Sequence, residues 1–352
     1  NELVACRTSA SLHFAGRYRL IDFALSSLQN AGVHDVGVIM QQDYQSLLDH
    51  IGSGKEWDMS RKRGGLRLLP PFGRQSGVGE YVSVIDALLA VRGYISDVKQ
   101  NYIFLTRGSL AVNLDLTAVM AAHLKSGADV TAVCTPNTPE GTHHRFVTDE
   151  NGRATQLLFR RSGPGPGYAA LEAYIMSRDT LLDLLERCDS AMNRRFHRDG
   201  LGGLMEAGGT INVYMHEGYA VNIADVTGYY EASMDMLDAK NRRELFPEDR
   251  PVHTKGRADV STYYGDGAVV KNCLVADGCF IEGELENCVI FRGVRIEQGA
   301  VLKNCIIMQD TIIGLGATLN YIISDKDVTV DGGVTLAGSP KLPLVVPKGS
   351  KI

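Results

Sequence analysis

From about residue 264 onward the chain keeps a six-residue beat. Small or β-branched residues recur at Ala268, Cys273, Cys279, Cys288, Val294, Ala300, Cys305, Thr311 and Ala317. Aliphatic residues follow the same beat at Val289, Val301, Ile306 and Ile312. Asn272, Asn287, Asn304 and Asn320 return at intervals of 15, 17 and 16 residues, about one coil each. A hexad repeated three times per coil predicts a parallel β-helix. Such a coil needs small residues at its tight inward corners, and stacked asparagines share hydrogen bonds along the stack. A β-sandwich of short strands is the competing fold, and the steady period disfavours it. Within a coil, Cys273, Cys279, Cys288 and Cys305 are small packing residues rather than metal ligands. Residues 341–352, with Pro343 and Pro347, then form a closing strand or tail.

Residues 1–245 follow a different grammar. Short β-branched runs at Val36–Met40, Tyr102–Leu105, Val130–Cys134, Gln156–Phe159, Ala173–Met176 and Ile211–Tyr214 read as strands. Amphipathic stretches alternate with them at Ile21–Ala31, Val82–Val91, Leu116–Lys125, Asp179–Arg187 and Gly228–Ala239. This alternation predicts an α/β, Rossmann-like domain whose mostly parallel sheet is covered on both faces and binds ligands at the carboxyl ends of its strands. Gly163-Pro164-Gly165-Pro166-Gly167 must be a loop. The expected organisation is an α/β domain over 1–245, a linker over 246–263 and the β-helix over 264–352.

Composition excludes several classes of function. Lys plus Arg number 36 and Asp plus Glu 41, a net charge of −5, whereas nucleic-acid binders are normally basic. No apolar run approaches the ~20 residues a membrane helix needs. Seven cysteines, an odd number without CxxC or Cys/His spacing, suit a reduced, cytoplasmic chain. The first residue is Asn1 rather than methionine, which is compatible with residues upstream.

The segment from Phe14 to Ser26, FAGRYRLIDFALS, resembles the opening FGGKYRIIDFxLSN of the glucose-1-phosphate adenylyltransferase (ADP-glucose pyrophosphorylase) family. Val38–Ile51 is similar to that family's VLTQYxSxSLxxHI, and Trp57 follows where the family has an aromatic residue. Gly218-Tyr219 and Tyr229–Asp235 are similar to GYWRDVGTxxAYWEANMDL. The likeness covers nearly the whole chain. It implies a nucleotidyltransferase domain followed by a left-handed β-helix, and a reaction in which ATP and glucose 1-phosphate give ADP-glucose and pyrophosphate. That chemistry needs a phosphate-cradling loop, carboxylates to hold Mg²⁺ and a lysine to hold the sugar phosphate.

At the positions that carry this chemistry the chain departs from the family. Asn1–Leu12 contains no glycine where the glycine-rich loop would lie, so that loop is either truncated or was never present. The family's first metal aspartate falls on Ser109, after Gly108, and the second on Asn222. Both side chains are neutral and poor Mg²⁺ ligands beside a carboxylate. Asp225 is either a displaced substitute or a cap for the following helix. In the nucleotide-cupping YRGTADA motif Tyr81, Asp86 and Ala87 persist, while Val82, Ser83 and Val84 replace Arg-Gly-Thr. The sugar-phosphate EKP becomes Arg160-Arg161-Ser162, of which Arg161 can still hold a phosphate with a different fork. Glu172 stands where SMGIY has its glycine, a carboxylate where the sugar should lie.

The resemblance therefore implies a glycogen-biosynthesis subunit of the regulatory kind, with little or no catalysis alone. It would modulate a catalytic ADP-glucose pyrophosphorylase partner in a hetero-oligomer, a tetramer by analogy, or form a homo-oligomer. Mg²⁺ would bind only if the chain is active. The alternative is an active sugar-1-phosphate nucleotidyltransferase with rewired ligands such as Asp225 and Asp86. A hexapeptide acyltransferase needs a catalytic histidine near its coils, and residues 254–352 contain none. The family's effectors, sugar phosphates or nucleotides, bind near the start of the chain. Its heading lysine is Ser9 here, but Arg7, His13, Arg17 and Arg19 keep a positive cluster. Arg61-Lys62-Arg63 and Arg67 read as a basic loop, either a phosphate site or solvated charge. His143-His144 reads as a pair on a polar loop with no third metal ligand adjacent. Asp22 and Ser26 suit capping and packing, His50 and His123 suit satisfied surface or boundary positions in helices, and Trp57 suits packing.

Overall fold

A computed structural model of the chain describes residues 2–71, 81–136, 142–162 and 165–352, and for residues 142 and 160–162 the backbone alone. Residues 163 and 164 of the expected Gly/Pro loop lie outside the described residues. The chain divides into two compact units, residues 23–222 and residues 1–22 with 223–352.

The unit of residues 23–222 is built on a six-stranded sheet in the order Ile211–Met215, Val130–Thr135, Tyr168–Ser177, Thr142–Thr148, Ala154–Ser162, with Tyr102–Thr106 also paired to Tyr168–Ser177. Tyr168–Ser177 is the hub and runs antiparallel to all three of its partners. Only Ile211–Met215 pairs in parallel, with Val130–Thr135. The sheet is thus mixed, not mostly parallel as the alternation suggests. A strand buried on both faces is apolar throughout, whichever way its neighbours run, so its pattern carries no direction. Val130, Ala132, Cys134, Tyr174, Met176, Leu181, Leu184 and Leu185 form the centre of the core, each no more than 3% exposed.

Helices start where short polar side chains take up their free N–H groups. Asp115 accepts from Ala118 N ahead of Leu116–Ser126, which ends on the left-handed Gly127. Ser177 accepts from Thr180 N ahead of Arg178–Ser190. Ser83 accepts from Asp86 N ahead of Val84–Ala90. Trp57 is fully buried, as expected of a packing residue. His50 and His123 lie in helices but are buried rather than at the surface, with His123 Nδ1 2.9 Å from Thr131 Oγ1. Two small pairings complete the unit: Asp35–Ile39 with Gly65–Leu69 in parallel, and Leu110–Val112 with Ala220–Asn222 antiparallel.

In the other unit, three five-stranded parallel sheets stack coil on coil, the arrangement of a left-handed β-helix. One runs Tyr263–Tyr264, Phe280–Ile281, Arg295–Ile296, Ile312–Ile313 and Thr329–Val330. The hexad residues do what the period requires. Cys279, Cys288, Val294, Ala300, Cys305, Thr311 and Ala317 point inward with at most 2% exposure. All seven cysteines are unbridged. The asparagines stack as expected: Asn272 Nδ2 donates to Asn287 Oδ1 at 2.7 Å, Asn287 to Asn304 at 3.3 Å and Asn304 to Asn320 at 3.1 Å. Asn272, Asn287 and Asn304 are left-handed (φ 48, 54 and 53°), a conformation Asn tolerates better than other side chains with a Cβ. Lys341–Ile352 contributes the strand Leu344–Val346 to the last coil, paired with Ile322–Ser324. Within the 246–263 stretch, Arg257 grips Asp310 through two bonds of 3.1 and 2.9 Å.

The helix expected over Gly228–Ala239 is two helices, Val226–Asp235 and Ala239–Leu245, because Asp238 caps the second through Lys240 N. Tyr229, fully buried, donates to His13 O at 2.7 Å, and Tyr230 donates to Asn304 O at 2.9 Å. These bonds tie the first helix to the amino-terminal segment and to the asparagine ladder. No helix among the described residues is long and apolar enough to cross a membrane.

Candidate functional site

The register of the pair Leu110–Val112 and Ala220–Asn222 puts Leu110 opposite Asn222. Ser109, 8% exposed, is therefore one residue from the direct partner of Asn222. These are the two positions at which the resemblance expects metal-holding acids, and the fold brings them together from distant parts of the chain. The donors there are one hydroxyl and one amide. A divalent hard cation prefers anionic oxygens, so this pair does not fit Mg²⁺.

Glu172 lies on the hub strand, where the register slips between Ala170 and Ala173. Its φ is 54°, a left-handed value that suits glycine and costs other residues about 1–2 kcal/mol. The backbone thus keeps a shape fit for the family's glycine while the side chain fills the space. The carboxylate pairs with Arg107 and stands 3.7 Å from His144 Nδ1. The His144 ring stacks on His197, centroids 3.7 Å apart and 11° between planes. The Tyr174 hydroxyl lies 2.8 Å from His197 Nε2. Burial pushes the Glu172 carboxyl up, but the close approach of His144 and the charges of Arg107, His197 and His144 outweigh it and hold it below its ordinary value. Burial raises the Tyr174 hydroxyl well above its usual range, so it stays neutral. The Glu172 carboxylate thus faces the Arg107 guanidinium.

His143 and His144 lie on the strand Thr142–Thr148, not on a loop. Beside them Arg145, 3% exposed, holds the turn before the hub strand by donating to the carbonyls of Gly165, Pro166 and Gly167 at 2.9, 3.1 and 2.7 Å. A Cβ on Gly167 would sit 2.3 Å from Phe146 O, so the close approach of these strands requires glycine there.

The nucleotide-cupping positions are also occupied. Asp86 is paired with Arg194, Nε to Oδ1 2.9 Å, and accepts a bond from Ser83 Oγ at 3.0 Å. Val82 is 90% exposed. The buried Tyr81 hydroxyl has no partner among the described residues. Arg161 is on the strand Ala154–Ser162, and its side chain lies outside the described residues.

In the other unit Asp225 accepts from Gly228 N at 2.8 Å and caps Val226–Asp235. Asp22, fully buried, accepts from Arg19 N at 2.9 Å, the capping duty expected of it. The amino-terminal cations do gather with the coil. Arg7, 3% exposed, binds Asp325 at 2.5 Å, and its Nη1 has no partner among the described residues. Burial pulls the Arg7 guanidinium down, but Asp325 outweighs it and the group is held above its usual value. Lys326 is pushed down by burial and then by Arg19, Arg7 and Lys348. Arg292, 6% exposed, is pushed down by burial and then by Arg17. His13 differs from the arginines: its ring edge packs on Phe291, centroids 6.1 Å apart. Arg61, Lys62 and Arg63 are exposed, with Arg61 paired to Asp58, whereas Arg67 is not on a loop but on the strand Gly65–Leu69, over the Tyr94 ring at 5.4 Å.

Comparison with known proteins places these features. The nucleotidyl transferase family profile matches residues 6–239. The chain belongs to the nucleotidyl transferase family. A GlmU-like C-terminal hexapeptide profile matches residues 260–341, the span of the coils. The chain is 34% identical to the glycogen biosynthesis protein GlgD of Bacillus subtilis over 99% of its own length and 92% of that protein. It is 31% identical to the glucose-1-phosphate adenylyltransferase of Geobacillus stearothermophilus, over 82% of this chain and 76% of that one. It is 29% identical to the same enzyme of Bacillus thuringiensis strain Al Hakam, over 82% and 78%. For a nucleotidyl transferase family member, four residues around these positions were not apparent in the sequence. His197 and Arg107 lie 25 and 65 residues from Glu172 and meet it only through the fold. Arg194 and Tyr174 gave no signal either. The one clue was Glu172 itself, standing in place of a motif glycine.

Proposed function

We propose that this chain is a glycogen-biosynthesis subunit that performs little or no nucleotidyl transfer alone and modulates a catalytic glucose-1-phosphate adenylyltransferase in a mixed oligomer in the cytoplasm. The observation that carries this is the closeness of Ser109 to Asn222, whose register partner is the neighbouring Leu110. Two neutral donors at these neighbouring positions cannot neutralise a splitting triphosphate, and the loss of metal-based charge stabilisation amounts to several kcal/mol, ~10⁴-fold or more in rate. Glu172, locked to Arg107 in the sugar position, supports the same reading. Asp86 and Asp225, the acids available for a rewired site, are committed to Arg194 and to a helix cap.

What the chain keeps is a place for an anionic effector. Arg7, Arg17, Arg19, Arg292 and Lys326 gather around the buried Asp325, with Asp259 3.8 Å from Arg292, and burial together with the neighbouring cations lowers both Lys326 and Arg292. A sugar phosphate or nucleotide phosphate would relieve that excess and satisfy the open Arg7 Nη1. The test is co-expression with an active relative, followed by mass measurement of the purified assembly and effector titration of its activity. A mixed assembly with altered effector response is expected. An active relative that stays homo-oligomeric and responds identically in the presence of this chain would overturn the proposal.

A further inference from the structure

His144, Glu172 and His197 come from three different elements: the strand Thr142–Thr148, the irregular point of the hub strand, and the helical turn Phe196–Gly202. Each offers one ligand atom, and these atoms all lie within 4.8 Å of one another. The side chains of His144 and Glu172 are 15% and 13% exposed, and His197 is 9% exposed. Two imidazoles and a carboxylate are the donor set of borderline metals, not of Mg²⁺, which prefers oxygen alone.

We propose that these three residues form a binding site for a late first-row divalent cation of the Zn²⁺ class. The supporting contacts are of the kind such sites need. Tyr174 fixes the orientation of the His197 ring through Nε2, and Arg107 holds one oxygen of Glu172, leaving the other toward His144. Tetrahedral coordination draws ligand atoms to roughly 3.3 Å apart, so the ion closes the three residues inward and opens the His144–His197 stack. The cation clamps the strand, the hub and the helical turn together across the place the resemblance gives to the sugar. The site does not depend on whether the chain is catalytic.

The experiment titrates Zn²⁺ into the chelator-treated full chain, with a parallel Co²⁺ arm read by visible absorption. One Zn²⁺ per chain is expected, with a cobalt d–d band that Zn²⁺ erases and millimolar Mg²⁺ does not. His144→Ala and His197→Ala should each weaken binding at least ~100-fold, and Tyr174→Phe, which keeps the ring, about 10-fold. His143→Ala should bind as the parent does. Circular dichroism confirms that each variant is folded, and Tyr174→Phe carries the test if a histidine variant is not. Binding that survives His144→Ala, His197→Ala or, in the last resort, Tyr174→Phe unchanged would overturn the proposal, as would the absence of stoichiometric Zn²⁺.

Discussion

At residue scale the chain holds two side chains in places where physics resists them. Glu172 keeps a left-handed φ of 54°, so restoring glycine relieves the backbone while alanine keeps the strain. Glu172→Gly should therefore be more stable than Glu172→Ala by about 1 kcal/mol, read from urea midpoints at constant slope. Lys326 is the second case. Burial and the charges of Arg19, Arg7 and Lys348 lower its pKa, so between that depressed value and the ordinary 10.5 the unfolded chain binds more protons. Its contribution to stability accordingly rises with pH through that window. Lys326→Met should raise the melting temperature at neutral pH and weaken binding of a phosphate effector, a split that a purely structural lysine would not give. Of these residues, Glu172 was legible because it breaks a motif. Lys326 was not, because its meaning lies in neighbours supplied by the other end of the chain.

At the scale of elements, the β-helix was readable and the sheet only in part. Each hexad does the same job in every coil, so a corner such as Ala300 or Cys305 is defined by repetition alone. The asparagine ladder is the clearest instance. Asn304 sits at φ 53° and both donates to Asn320 and accepts from Asn287. Asn304→Ala should cost about 2 kcal/mol, part strain and part lost hydrogen bonds, with Asn304→Gly less damaging. Thermal unfolding monitored by circular dichroism checks the order. The six strands expected in the α/β region are present, but Gly65–Leu69, Leu110–Val112, Thr142–Thr148 and Ala220–Asn222 were not expected, and strand direction was not legible because Ala173–Met176 is apolar on both faces. The short pair Leu110–Val112 and Ala220–Asn222 has no pattern of its own, yet it brings Ser109 and Asn222 together. A cap was legible: Asp225 precedes a helix, and Asp225→Ala should cost about 1 kcal/mol while Asp225→Ser costs a few tenths.

At the scale of the whole molecule, a nucleotidyl transferase fold holds, at the positions where the resemblance places catalytic groups, side chains that satisfy one another. Arg107 meets Glu172, Arg194 meets Asp86, and neutral Ser109 stands near Asn222. The amino-terminal segment and the coil instead assemble a positive cluster about Asp325. Conversion from catalysis to regulation is the simplest account of both. It is tested most directly by pyrophosphate release from the purified chain alone, given ATP, glucose 1-phosphate and Mg²⁺. The account predicts no release above the enzyme-free background at concentrations where an active relative turns over readily. Sustained release that scales with the amount of chain and requires Mg²⁺ would contradict it.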